Sequence, residues 1–106
     1  MAPPSEPPRR GSVDFVPEAA TAAKVLEVAS RRASAGRAGA MATVLERHGS
    51  APSTPGQKLY VCDDGTSVGT VGGGAVEREV LAALATFLSD PPPRPEVREL
   101  RLGAEL

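Results

Sequence analysis

Residues that could carry chemistry gather at two points of the chain. The first is Gly72-Gly73-Gly74, followed by Ala75, Val76 and Glu77. Consecutive glycines let backbone approach another group closely, and a helix starting there exposes N–H groups with no partner. Together they suit an anion such as a phosphate or carboxylate. Nucleotide motifs do not fit. No Lys-Ser/Thr follows the glycines, and the third glycine of a dinucleotide fingerprint falls on Glu77. A tight, closely packed strand-to-helix turn is the plain alternative. Glu77 lies one turn into the expected helix, where its charge complements the dipole and its carboxylate can bond back to order the turn. As a general base it has no identifiable partner.

The second point is the segment from Gly49 through Ser50, Ala51, Pro52, Ser53, Thr54 and Pro55 to Gly56. The hydroxyls of Ser50, Ser53 and Thr54 suit a polar ligand, and the prolines stiffen the loop. With His48 and Gln57 the connection exceeds the usual ~4–6 residues, and long, stiff, polar loops often bind. A surface crossover is the alternative. A hydrolytic triad of His48, Ser50 and Glu77 is poorly supported: His48 is only two residues from Ser50, and there is no Gly-x-Ser-x-Gly elbow. Cys62, the sole cysteine, reads as a small packed apolar group. One cysteine and one histidine exclude a disulfide scaffold and a multi-cysteine zinc site.

The elements that must position these residues follow from periodicity. Pro17 and Glu18 open an expected helix over 17–35, in which Ala22, Val25, Leu26, Ala29 and Ala33 repeat at helical spacing. Arg31 and Arg32 suit its last turn, and Gly36 suits the C′ position. Residues 40–47 read as a strand. Strand-like runs 58–63 and 66–71 flank Asp64-Gly65, the signature of a two-residue hairpin. That register sets Val61 against Val68, and the Tyr60 ring against the bare backbone of Gly69. After the glycines, 75–89 reads as a helix with an apolar face of Val76, Val80, Leu81, Leu84, Phe87 and Leu88, stopped by Asp90 and three prolines. A last short strand is expected over 97–102. The fold class is α+β: a small mixed sheet with a hairpin (58–63/66–71) and two packing helices (about 17–35 and 75–89).

Length and composition bound the rest. A chain of 106 residues with three aromatics supports one small core. The Pro-rich stretch 1–16 reads as a disordered tail, leaving a single domain over 17–106. The net charge of −1, without basic clustering, argues against nucleic acid. No apolar run is long enough to span a membrane. Arg9-Arg10 lacks the apolar segment of an export signal, so a cytoplasmic location is the expectation.

Taken in order, these pieces resemble the N-terminal domain of the XdhC/CoxI family. The resemblance rests on Ala42-Thr43-Val44, Gly49-Ser50-Ala51-Pro52, Pro55-Gly56-Gln57-Lys58-Leu59, Asp64-Gly65, and Gly69-Thr70-Val71-Gly72-Gly73-Gly74 with Val76-Glu77. It covers about residues 20–102, and Gly-Ser-Ala-Pro combined with the glycine turn and its glutamate is fairly specific. It implies an accessory, chaperone-like factor rather than an enzyme, one that handles the molybdenum cofactor (molybdopterin) as cargo and assists its sulfuration or insertion into a xanthine dehydrogenase or CO dehydrogenase type of molybdenum hydroxylase. The candidate cofactor-binding residues are Gly49, Ser50, Gly56, Gly72, Gly73, Gly74 and Glu77. In the expected arrangement the N–H groups of Gly73, Gly74 and Ala75 face the anion, Ser50 donates a hydroxyl bond and Glu77 braces the turn. Three features depart from the family pattern: Ser53 replaces a frequent Arg, Ala75 replaces a frequent Cys, and a C-terminal Rossmann domain is expected to be absent. Expected partners are a client molybdenum hydroxylase, a separate Rossmann-domain protein or a second copy of the chain. The alternative is a non-catalytic interaction subunit that pairs with a partner or itself and binds no cofactor.

Overall fold

A computed structural model of the protein describes residues 21–47 and 54–100. The tail 1–16, Pro17, Glu18, and the loop residues from His48 to Ser53, Gly49 and Ser50 included, lie outside the described residues. The element order is α1 (Ala22–Ser34), β1 (Gly39–Thr43), β2 (Lys58–Cys62), β3 (Ser67–Gly69) and α2 (Gly74–Ser89). This is the expected α+β fold with its hairpin and two helices.

Helix α1 begins at Ala22, where Thr21 caps it, and the expected opening at Pro17 lies outside the described residues. The Thr21 hydroxyl accepts from the Lys24 amide at 3.1 Å, and its carbonyl accepts the Val25 amide at 3.0 Å. The helix ends as its glycine implies. Gly36, at φ 83°, donates to Ala33, and Arg37 donates back to Arg32, the paired bonds of a Schellman motif.

The strands form one antiparallel sheet in the order β1-β2-β3. The expected mixed sheet is thereby corrected: the described part of the predicted last strand, 97–100, pairs with nothing in the sheet, and Val97 is 81% exposed. Strand β1 is shorter than the expected 40–47. Val44 still exchanges bonds with Gln57 (2.9 Å) and Gly56 (2.8 Å), and then the chain leaves the sheet, with Leu45 62% exposed.

The hairpin register is also corrected, by one residue. Tyr60 lies opposite Val68 and Leu59 opposite Gly69. The cause is the loop. The Gly65 amide donates to the Cys62 carbonyl (2.9 Å), and the Cys62 amide reaches the Thr66 carbonyl (2.8 Å), so Asp63, Asp64 and Gly65 make a three-residue loop closed by a glycine at φ 89°. A slip of one exchanges the two faces of a strand. Tyr60 consequently covers Gly39 of β1 instead of Gly69, and a Cβ on Gly39 would collide with its ring.

Helices cover both faces of the sheet. Leu59 and Val61 of β2 face α2, in a core with Val71 and Leu84 that also packs Ala40, Ala42, Val44, Val80 and Leu81. Tyr60 and Cys62 face α1, with Val25, Met41 and Val68. Burial on both faces explains why β2 reads as a continuous apolar run after Lys58. Helix α2 lies over β1, and α1 lies over β2 and β3.

Candidate functional site

The site is assembled at one end of the sheet, where β1 finishes, β2 begins and β3 finishes. Lys58 marks that end. Its carbonyl accepts the Thr70 amide at 2.9 Å, and its ammonium donates to the Thr43 hydroxyl at 3.0 Å. Just before it, Thr54-Pro55-Gly56-Gln57 forms a turn. The Gln57 amide donates to the Thr54 carbonyl (3.0 Å), and the Gln57 side chain accepts the Thr54 amide (2.6 Å). Proline followed by a glycine at φ 94° is the type II pattern. Gly56 is thus explained by the turn, and its amide is engaged by Val44.

On the other side of Lys58 the chain runs from β3 into the glycines. Gly69 needs its missing side chain: at φ 96°, a Cβ there would meet the Lys58 carbonyl and sit 2.6 Å from Val25 Cγ2. The next three glycines are required for a different reason. Gly72, Gly73 and Gly74 have φ of 122°, 78° and 58°. Gly73, with ψ −179°, occupies a region open essentially to glycine alone. A Cβ on Gly73 or Gly74 would meet nothing within 4 Å, so these two serve backbone conformation and leave open space above the turn. The close-packing alternative does not account for them.

Glu77 holds the turn closed. Its Oε1 accepts the Thr70 hydroxyl at 2.5 Å, the Gly73 amide at 3.1 Å and the Val71 amide at 3.2 Å. The Thr70 hydroxyl in turn accepts the Gly72 amide at 3.1 Å, and the Glu77 amide donates to the Gly73 carbonyl at 3.3 Å. These bonds favour the charged form: the Thr70 hydroxyl foremost, then the two amides, outweigh partial burial and hold the carboxyl below its ordinary value. Glu77 is therefore a brace, as its spacing from the glycines implied.

The bracing has a consequence for the expected donors. The Gly73 amide is spent on Glu77 and the Gly72 amide on Thr70. The helix ladder begins with the Glu77 amide and Gly73 has no side-chain cap, so Gly74, Ala75 and Val76 are the amides left without an acceptor in that ladder. Of the expected donors Gly73, Gly74 and Ala75, only Gly74 and Ala75 therefore keep exposed amides outside these bonds. Sequence reading overlooked Thr70. Its signal was a hydroxyl two residues ahead of the glycines and seven ahead of the glutamate.

The model of the XdhC and CoxI family matches residues 32–99, more than half of the chain, from the last turn of α1 through the glycine turn and α2. The chain belongs to the XdhC and CoxI family. The match is narrower at both ends than the resemblance read from the residues, and leaves most of α1 outside. No curated protein and no solved structure matches the chain. Family membership points to a role connected with molybdenum hydroxylase maturation, on the accessory rather than the catalytic side. Among the described residues, no helix is long and apolar enough to cross a membrane.

Proposed function

We propose that this XdhC/CoxI-family chain assists the handling or insertion of the molybdenum cofactor for a molybdenum hydroxylase of the xanthine dehydrogenase or CO dehydrogenase type, without itself catalysing a metabolic reaction. The observation that carries the reading is the family match spanning the glycine turn, joined to the form of that turn. Three successive positive-φ glycines, tied by Glu77 and Thr70, hold a helix start open to solvent. The cofactor is cargo, and its anionic phosphate is the part such a turn suits. In this reading Gly74 and Ala75 offer amides, Gly72 and Gly73 shape the approach, and Glu77 keeps the shape. Gly49, Ser50 and Gly56 belong to the loop whose described end lies at the same end of the sheet.

A client enzyme tests the proposal. A molybdenum hydroxylase produced together with this chain gains active, molybdenum-loaded enzyme over one produced without it. Gly73→Val, which cannot adopt the native backbone at that position, loses the gain. No gain with the wild-type chain would refute the reading.

One observation favours a second reading, an interaction subunit that binds no cofactor: the turn satisfies two of its own amides internally. That reading predicts a stable complex with the client, or with a separate Rossmann-domain partner, that forms equally well in the absence of cofactor.

A further inference from the structure

Arg78 brings a free positive charge to the turn that Glu77 braces. It is exposed in the second turn of α2 and, among the described residues, meets no hydrogen bond, acid or ring. Arg94, beyond the prolines that end α2, is the other described cation of which this holds. Its helical neighbours explain the lack of a partner. The residues three and four positions away are Ala75 and Gly74 before it and Leu81 and Ala82 after it, none of them acidic. Glu77 is committed to the turn, and Glu79, the next residue, is rotated about 100° around the helix. The helix dipole favours acids rather than a cation at this end, so neither pairing nor the dipole accounts for an arginine here.

A helical side chain covers the turn on the N-terminal side of its own Cα. For Arg78 that turn holds Gly74 and Ala75, whose exposed amides lie outside the Glu77 and Thr70 bonds. One turn is about 5.4 Å, within the reach of an extended arginine. The space is open, since a Cβ on Gly74 would meet nothing within 4 Å. An anion at those amides would also lie near the Glu77 carboxylate, a like charge that opposes its binding unless a cation offsets it. Lys58, at the neighbouring strand end, is engaged with the Thr43 hydroxyl.

We propose that Arg78 is the cation that pairs with the cofactor's phosphate at this turn, an assignment that rests on the cofactor-handling role proposed above. The amides alone accept any small anion. A guanidinium adds two parallel donors matched to a pair of phosphate oxygens, and so favours a phosphate monoester over a single-atom anion such as chloride.

NMR titration of the full chain with inorganic phosphate tests the assignment, read at backbone amides and arginine side chains. In the wild type, shifts at Gly74 and Ala75 are accompanied by a shift of the Arg78 Nε–H resonance. Arg78→Gln weakens binding by about tenfold at low salt, and Arg78→Lys by less, because lysine keeps the charge without the paired donors. Arg94→Gln leaves binding unchanged. Arg78→Gln keeps the wild-type urea midpoint, since Arg78 makes no hydrogen bond or ion pair in the folded chain, so lost binding is not lost fold. With a co-produced client molybdenum hydroxylase, Arg78→Gln loses the gain in molybdenum loading and Arg94→Gln keeps it. Phosphate binding that survives Arg78→Gln overturns the assignment and leaves the cofactor reading standing. Full client loading with Arg78→Gln also overturns it and marks the phosphate as an adventitious ion only. A wild type without phosphate binding at the turn overturns it too; if that wild type also fails to raise client loading, the cofactor reading falls with it.

Discussion

At Glu77 one oxygen gathers a hydroxyl and two amides in a half-buried turn. Removing it by Glu77→Ala breaks all three bonds, and the expected loss is about 1–3 kcal/mol in denaturant unfolding. The sign with pH follows from the lowered carboxyl. Its contribution is complete above the ordinary value of 4.5 and is lost as pH falls through the depressed folded value. Acid unfolding of Glu77→Gln therefore lacks that part of the wild-type slope. Asp64 acts in the same direction at the far end of the sheet. The Thr66 hydroxyl and amide, aided by Arg32, hold it at about 2, so its stabilisation falls away between 3.8 and about 2. The glycines separate by mechanism as well. Gly69→Ala meets the Lys58 carbonyl at positive φ and is expected to cost at least about 2 kcal/mol, whereas Gly74→Ala enters open space and costs about 1 kcal/mol.

Between elements, the arrangement depends on the sheet's position between two helices. Leu84, 2% exposed, joins α2 to Leu59, Val61 and Val71, and Leu84→Ala is expected to lose about 2–5 kcal/mol in urea unfolding. At the far end, Asp63 ties the hairpin loop to the start of β1 by accepting Arg37 Nε (2.8 Å), Arg37 Nη2 (2.7 Å) and the Ala38 amide (3.0 Å). Asp63→Ala is expected to speed amide exchange at Ala38 and Asp63 while leaving Leu59 and Val61 protected. Much of this was legible in the residues. The glycine at 36, the proline stop after α2, the existence of the hairpin and the Glu77 brace each follow from local chemistry. The register was not, because Asp-Gly closes either a two-residue loop or, as here, the end of a three-residue one, and only the Cys62 bonds decide. The predicted strand at 97–102 has the right alternation, but its described part finds no strand to pair with, and Arg98 instead stacks 5.5 Å over Phe87. The Arg32 and Arg37 links join residues 26–34 positions apart, a distance over which local pattern carries no signal.

Across the described residues, the helix start behind Gly73 and Gly74 has open space above it. Family membership connects the chain with molybdenum hydroxylase maturation. The central claim is that the turn receives an anionic group of the cofactor at Gly74 and Ala75. The most direct measurement is an amide-resolved NMR titration of the full chain with molybdenum cofactor released from a purified molybdenum hydroxylase, with inorganic phosphate as the comparison. The account predicts saturable shifts that are largest at Gly74, Ala75 and Val76, and their loss in Gly73→Val. Absence of binding, or shifts that spare the turn altogether, would contradict it.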